Sequence, residues 1–239
     1  MTARLLMLVS CLTVVGCGQL PGHPKPGPLV PNPDSVLDFA TLYAQNCSGC
    51  HGAKGMNGPS YPLANPAYQA LVDKQILRQT IANGEPGTHM PPFAVSAGGM
   101  LTDQQVDALV NGMRAAWFKA GTLDVANAPP YKAAKPADAA HGQQVYTTYC
   151  ASCHGAAGAT GKSKAGSITQ PEFLALVSDQ VLRTVVIAGR PDIGQPDWRN
   201  DLPGHPMSDQ EVTAKLASSL SICPNPSTTS TRPCRITRS

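Results

Sequence analysis

Apolar positions recur three and four apart over several stretches of this chain, and the stretches come in two matching sets. In the first set, helical patterning runs over about 35–47 and 67–82, and a third stretch begins at Thr102. The counterparts in the second set are 141–150, 172–188 and a stretch beginning at Ser208. Each middle helix ends at a glycine, Gly84 or Gly189, the usual stop signal. Each last helix opens on a capping box, Thr102 with Gln105 and Ser208 with Glu211, whose side chains satisfy backbone N–H groups left free at a helix start. No long alternating pattern of the strand type is present. The fold class expected is all-α.

The two sets are copies of one domain. "LYAQNCSGCHGAKG" parallels "VYTTYCASCHGAAG", "ILRQTIANGEPG" parallels "VLRTVVIAGRPD", and "LTDQQVDALV" parallels "MSDQEVTAKL". The offset between the cysteine pairs is 103 positions. That period is a duplicated domain and not a solenoid repeat. The division expected is an N-terminal signal over 1–17, a Pro-rich tether over 18–34, a first domain over 35–120, a linker over 121–137, a second domain over 138–222 and a tail over 223–239.

The N-terminal apolar run, "LLMLVSCLTVVG", is 12 residues long and follows Arg4. It is too short to span a bilayer and has the layout of an export signal. It ends in "VVGC", which resembles a bacterial lipobox, so Cys17 is the expected site of lipidation. The tether that follows, in a polyproline conformation, would reach on the order of 50 Å from a membrane surface.

Composition adds two points. Aromatic residues are only 5% of the chain, while glycine and proline number 22 and 23. Such domains have few large side chains with which to fill a core. The net charge of +3 is modest, and no Lys/Arg cluster points to nucleic acid.

Cys47-x-x-Cys50-His51 and Cys150-x-x-Cys153-His154 carry the chemistry. Two thiols three apart can add to the two vinyl groups of one porphyrin, and the adjacent histidine then gives its imidazole to the iron. A zinc site would have to join cysteine pairs from separate domains. A redox dithiol would need a βαβ setting that the pattern lacks.

With these motifs the chain resembles the class I cytochrome c family, specifically dihaem members with two fused domains, over about 35–118 and 138–221. The resemblance implies two covalently bound haems c, attached through Cys47, Cys50, Cys150 and Cys153, with His51 and His154 as proximal iron ligands. It also implies a methionine as sixth ligand in the loop before the last helix. Met90, in "GTHMPPF", stands there, 39 positions after His51. Its neighbour His89 faces the other way if the loop is extended. A soft thioether raises the potential by favouring Fe(II).

The second copy departs from this pattern. Aligning "MPPF" with "QPDW" puts Gln195 at the ligand position and Met207 opposite Leu101. Gln195 through its amide oxygen, Met207 through a refolded loop, His205, or an open site all remain as answers.

Other residues read as packing. Tyr43 and Tyr146, four before each first cysteine, face the core or the haem edge. Gly142 matches the small residue that lets first and last helices of the family cross closely, whereas the first copy has Phe39 there, so its crossing is expected to differ. Trp117 packs in that helix pair and Trp198 lines the second pocket. Arg78 and Arg183, at matching positions, either meet a propionate or lie on a solvated face. Cys223 and Cys234 are left to form a disulfide in an oxidising compartment. The function expected is electron transfer between membrane-associated redox partners, or within a larger oxidoreductase complex, on the periplasmic side of a bacterial membrane. The alternative is a peroxidase-like or gas-binding enzyme that uses an open second haem.

Overall fold

A computed structural model describes residues 27, 29–136, 138–156, 165, 166, 168 and 170–214. The expectations about Cys17, Cys223 and Cys234 lie outside these residues. Among the described residues the regular elements are helices, with two isolated β-bridges. No helix there is long and apolar enough to cross a membrane. From Val36 onward the described residues form one compact unit that holds both copies of the repeat.

The first copy comprises α1 (Phe39–Asn46), α2 (Ser48–His51), α3 (Pro66–Leu71), α4 (Lys74–Asn83) and α5 (Asp103–Trp117). The second comprises α6 (Ala139–Tyr149), α7 (Ala151–His154), α8 (Pro171–Leu176), α9 (Asp179–Ala188) and α10 (209–214). Asp38 starts α1 by accepting the Thr41 backbone N–H at 2.8 Å. The middle helix expected in each copy is in fact two helices. Asp73 accepts the Ile76 N–H at 2.7 Å and Ser178 accepts the Val181 N–H at 3.2 Å, so each opens a new helix inside the apolar run. Both capping boxes form. Thr102 and Gln105 exchange bonds of 3.0 and 3.3 Å, and Ser208 and Glu211 bonds of 2.8 and 3.2 Å.

The first and last helices of copy one do cross closely, but with the small residue on the opposite partner. A Cβ on Gly112 of α5 would lie 2.2 Å from the Phe39 ring. Phe39 is therefore the knob and Gly112 the hole. Trp117 stands edge-on to Phe39 and Tyr43, with ring centroids 5.6 and 5.2 Å away. Leu42, Val106, Leu109 and Met113 complete this buried face.

The two matching arginines differ. Arg78 is half-exposed and pairs with Asp103 and Asp107 of α5 at 2.8 and 2.7 Å. Arg183 is 1% exposed. It donates to Thr213 at 2.8 Å, pairs with Asp209 of α10, and holds the linker through the Pro130 carbonyl at 2.8 Å and the Tyr131 carbonyl at 3.1 Å. The solvated face expected at this position is a buried network. The linker is correspondingly not loose, and Leu123 within it is buried in the shared core.

Copy one meets copy two at the end of α9. Asn65 accepts the Ala67 N–H at 2.9 Å as N-cap of α3. Its amide nitrogen donates to the Ala188 carbonyl at 2.9 Å, the end of α9. Tyr61 donates its hydroxyl to the Gly189 carbonyl at 3.1 Å. Buried carbonyls at a helix end need such donors, and here they come from the other copy.

Candidate functional site

The two Cys-x-x-Cys-His segments have the same local build. The Cys47 N–H donates to the Tyr43 carbonyl at 2.9 Å and the His51 N–H to the Cys47 carbonyl at 3.0 Å. The equivalent bonds, Cys150 to Tyr146 and His154 to Cys150, are both 2.9 Å. One helical turn thus carries both thiols and the imidazole.

Tyr43 and Tyr146 do more than pack. Their hydroxyls donate to the carbonyls of Gly52 and Gly155 at 2.9 and 2.8 Å, the residues that follow each histidine. The spacing of four before each first cysteine, repeated in both copies, was the signal of this tie.

The imidazoles are oriented alike. His51 Nδ1 lies 2.8 Å from the Tyr61 carbonyl and His154 Nδ1 lies 2.8 Å from the Gly166 carbonyl. A carbonyl only accepts, so Nδ1 carries the proton and Nε2 is left as the ligating nitrogen. Burial lowers the His51 pKa and favours the neutral ring that a metal requires. A pair of cysteines and an oriented neutral imidazole on one turn fit a thioether-linked haem. Among the described residues no cluster of three or more His, Cys, Asp or Glu side chains could hold a bare metal ion instead.

The loop before the last helix shares two backbone bonds between the copies. After α4, the Glu85 N–H donates to the Met90 carbonyl at 3.0 Å, and the Leu101 N–H to the Phe93 carbonyl at 2.7 Å. After α9, the Arg190 N–H donates to the Gln195 carbonyl at 3.0 Å, and the Met207 N–H to the Trp198 carbonyl at 3.0 Å. Gln195 therefore occupies the backbone place of Met90, Trp198 that of Phe93, and Met207 that of Leu101. The glycines before each loop let it approach. A Cβ on Gly84 would lie 2.7 Å from the Met90 oxygen, and one on Gly189 would lie 2.9 Å from the Gln195 oxygen.

Met90 is partly buried against the core. Gln195 is half-buried, whereas Met207 is fully buried among core side chains. His89 and His205 are exposed. Trp198 Nε1 is a buried donor that meets no acceptor among the described residues, which suits the polar edge of a large group in the second site. Two ion pairs brace the second loop, Arg190–Asp192 at 2.7 Å and Arg199–Asp197 at 2.6 Å.

Residues 34–111 and 137–213 both match the family described as cytochrome C oxidase, cbb3-type, subunit III. The chain is 31% identical over 131 residues to the cbb3-type cytochrome c oxidase subunit FixP of Sinorhizobium medicae, a match covering 51% of this chain and 39% of that protein. It is 41% identical over 69 residues to the dihydro-heme d1 dehydrogenase of Pseudomonas aeruginosa, covering 29% of this chain and 13% of that enzyme. The matched region thus spans well under half the length of these relatives. Among solved structures, the Kuenenia stuttgartiensis reducing HAO-like protein complex is similar at 18% identity with a TM-score of 0.45, covering 77% of this chain and 94% of that one.

Proposed function

The chain belongs to the cbb3-type cytochrome c oxidase subunit III family and carries two covalently bound haems c, and from that premise we propose that it transfers electrons between membrane-associated redox partners, as a subunit of a larger oxidase-type complex or a tethered carrier. When bound, each haem supplies a one-electron Fe(III)/Fe(II) couple. Cys47 and Cys50 hold the first haem and Cys150 and Cys153 the second. His51 and His154 are the proximal ligands, each fixed through Nδ1 by a backbone carbonyl.

With the haems bound, Met90 would ligate the first iron and keep substrate from it, and Gln195, at the matching backbone place, would offer its amide to the second. A hard oxygen ligand favours Fe(III), so the two sites differ in potential. The single observation that supports this most is the pair of corresponding backbone bonds in the two loops, with thioether and amide exchanged at one place. Lipidation of Cys17 would hold the protein on the periplasmic side of a bacterial membrane, the 18–34 segment would act as tether, and Cys223–Cys234 would close the tail.

A second reading, a peroxidase-like or gas-binding enzyme, draws on the same exchange, because an amide is a weak ligand that a small molecule can displace. Low-temperature EPR and visible spectra of the ferric protein separate the two. The carrier requires two low-spin haems, a single thioether-to-iron charge-transfer band and no peroxide turnover. A high-spin second haem with fast peroxide turnover would replace the carrier by the enzyme.

A further inference from the structure

The interface between the copies touches a ligand-bearing segment on each side. We propose that Tyr61 is a positioning residue shared by the two haem sites: its carbonyl fixes His51 of the first, and its hydroxyl, with Asn65, fixes the loop that carries Gln195 of the second. The inference rests on the assignment of His51 and Gln195 as ligands given above.

On the first side the contact is direct, because the Tyr61 carbonyl takes the His51 Nδ1 proton at 2.8 Å. On the second side three bonds converge on the last carbonyls of α9. Tyr61 Oη reaches Gly189 at 3.1 Å, and Asn65 Nδ2 reaches Ala188 at 2.9 Å and Gly189 at 3.2 Å. Gly189 has φ +69°, a left-handed backbone that leaves no room for a side chain beside the Gln195 carbonyl. The next residue, Arg190, donates its N–H to that same carbonyl. A shift of the Gly189 peptide therefore reaches Gln195 within one residue.

The arrangement is specific to copy one. His154 is held by the carbonyl of Gly166, a residue with no side chain to extend further. Tyr61 is clamped by its own surroundings: it is buried, its ring meets Tyr68 at a tilt with centroids 5.0 Å apart, and Asn65 donates to its hydroxyl at 3.2 Å.

The test uses the haem-loaded chain with Tyr61→Phe, which keeps the carbonyl and the ring, and Tyr61→Phe with Asn65→Ser, which also keeps an acceptor for the α3 cap. Tyr68→Phe, in the same aromatic cluster but without a bond to α9, is the control. Expected in both test variants are an unchanged Met90 thioether band, shifted EPR g-values of the second haem, and a change of about threefold to tenfold in the constant for electron sharing between the haems, from the loss of one or two hydrogen bonds. Tenfold is about 59 mV for a one-electron couple. The control should match wild type. Unchanged g-values and sharing constant in Tyr61→Phe would overturn the proposal, and that variant decides alone if the double variant does not fold. Shifts of equal size in Tyr68→Phe would also overturn it, by reducing the effect to general packing. A wild-type protein with two thioether bands would instead overturn the assignment of Gln195 on which the proposal rests.

Discussion

Arg190 donates its backbone N–H to the carbonyl of Gln195 at 3.0 Å, the bond that Glu85 makes to Met90 at the same length. This relationship gives Gln195 the backbone place that Met90 holds in the first loop.

Replacing Gln195 by Met should therefore restore a thioether at the second site. The expected outcome is a second thioether-to-iron band and a raised second midpoint, with the first unchanged, since soft sulfur favours Fe(II). Near-infrared absorption combined with a potentiometric titration checks it. An unaltered spectrum would remove Gln195 from the coordination sphere.

Met207 should behave as a core residue. It is 0% exposed and takes the place of Leu101 at the entry to the last helix. Met207→Leu should cost less than about 1.5 kcal/mol, and Met207→Ala about 2–5 kcal/mol, in denaturant unfolding. Neither should alter the ferric spectrum of the second haem. Loss of a low-spin signal in Met207→Leu would assign the thioether to the iron.

The two matching arginines should respond unequally. Arg183→Ala leaves Asp209, Thr213 and two linker carbonyls without their buried partner, and the expected loss is about 3–5 kcal/mol. Arg78→Ala removes exposed ion pairs and should cost no more than about 1 kcal/mol. Equal losses in chemical denaturation would contradict the division drawn here.

Acid should weaken the second loop. The hydrogen-bonded Arg190 guanidinium holds the Asp192 carboxyl below its ordinary range. A depressed folded-state pKa contributes stability that is present above the unfolded value, about 4, and is lost as pH falls through the lower folded one. Asp192→Asn should therefore lower stability at neutral pH and flatten the loss below about pH 4. A stability–pH profile parallel to wild type would exclude this source of acid sensitivity.

Much of this was legible in the chain itself because its signals are local. The Cys-x-x-Cys-His turns, the stop glycines at 84 and 189 and the capping boxes at 102 and 208 each lie within a few residues of what they control. The middle helices were misjudged as continuous because the apolar run continues past Asp73 and Ser178, and a cap inside such a run looks like an ordinary polar position. Phe39 pointed to an altered helix crossing, but its compensation is at Gly112, on another helix. Arg183 read as solvated because its partners, Pro130, Tyr131, Asp209 and Thr213, lie 26 to 53 residues away. Tyr61 and Asn65 carried no local pattern at all, since their acceptors are 123 to 128 residues distant.

That last separation has a direction. Both donors belong to the copy that leaves the ribosome first, and both acceptors, the carbonyls of Ala188 and Gly189, to the copy made afterwards. Copy two on its own would leave both carbonyls without these donors, so the duplication carries a dependence of the later half on the earlier one.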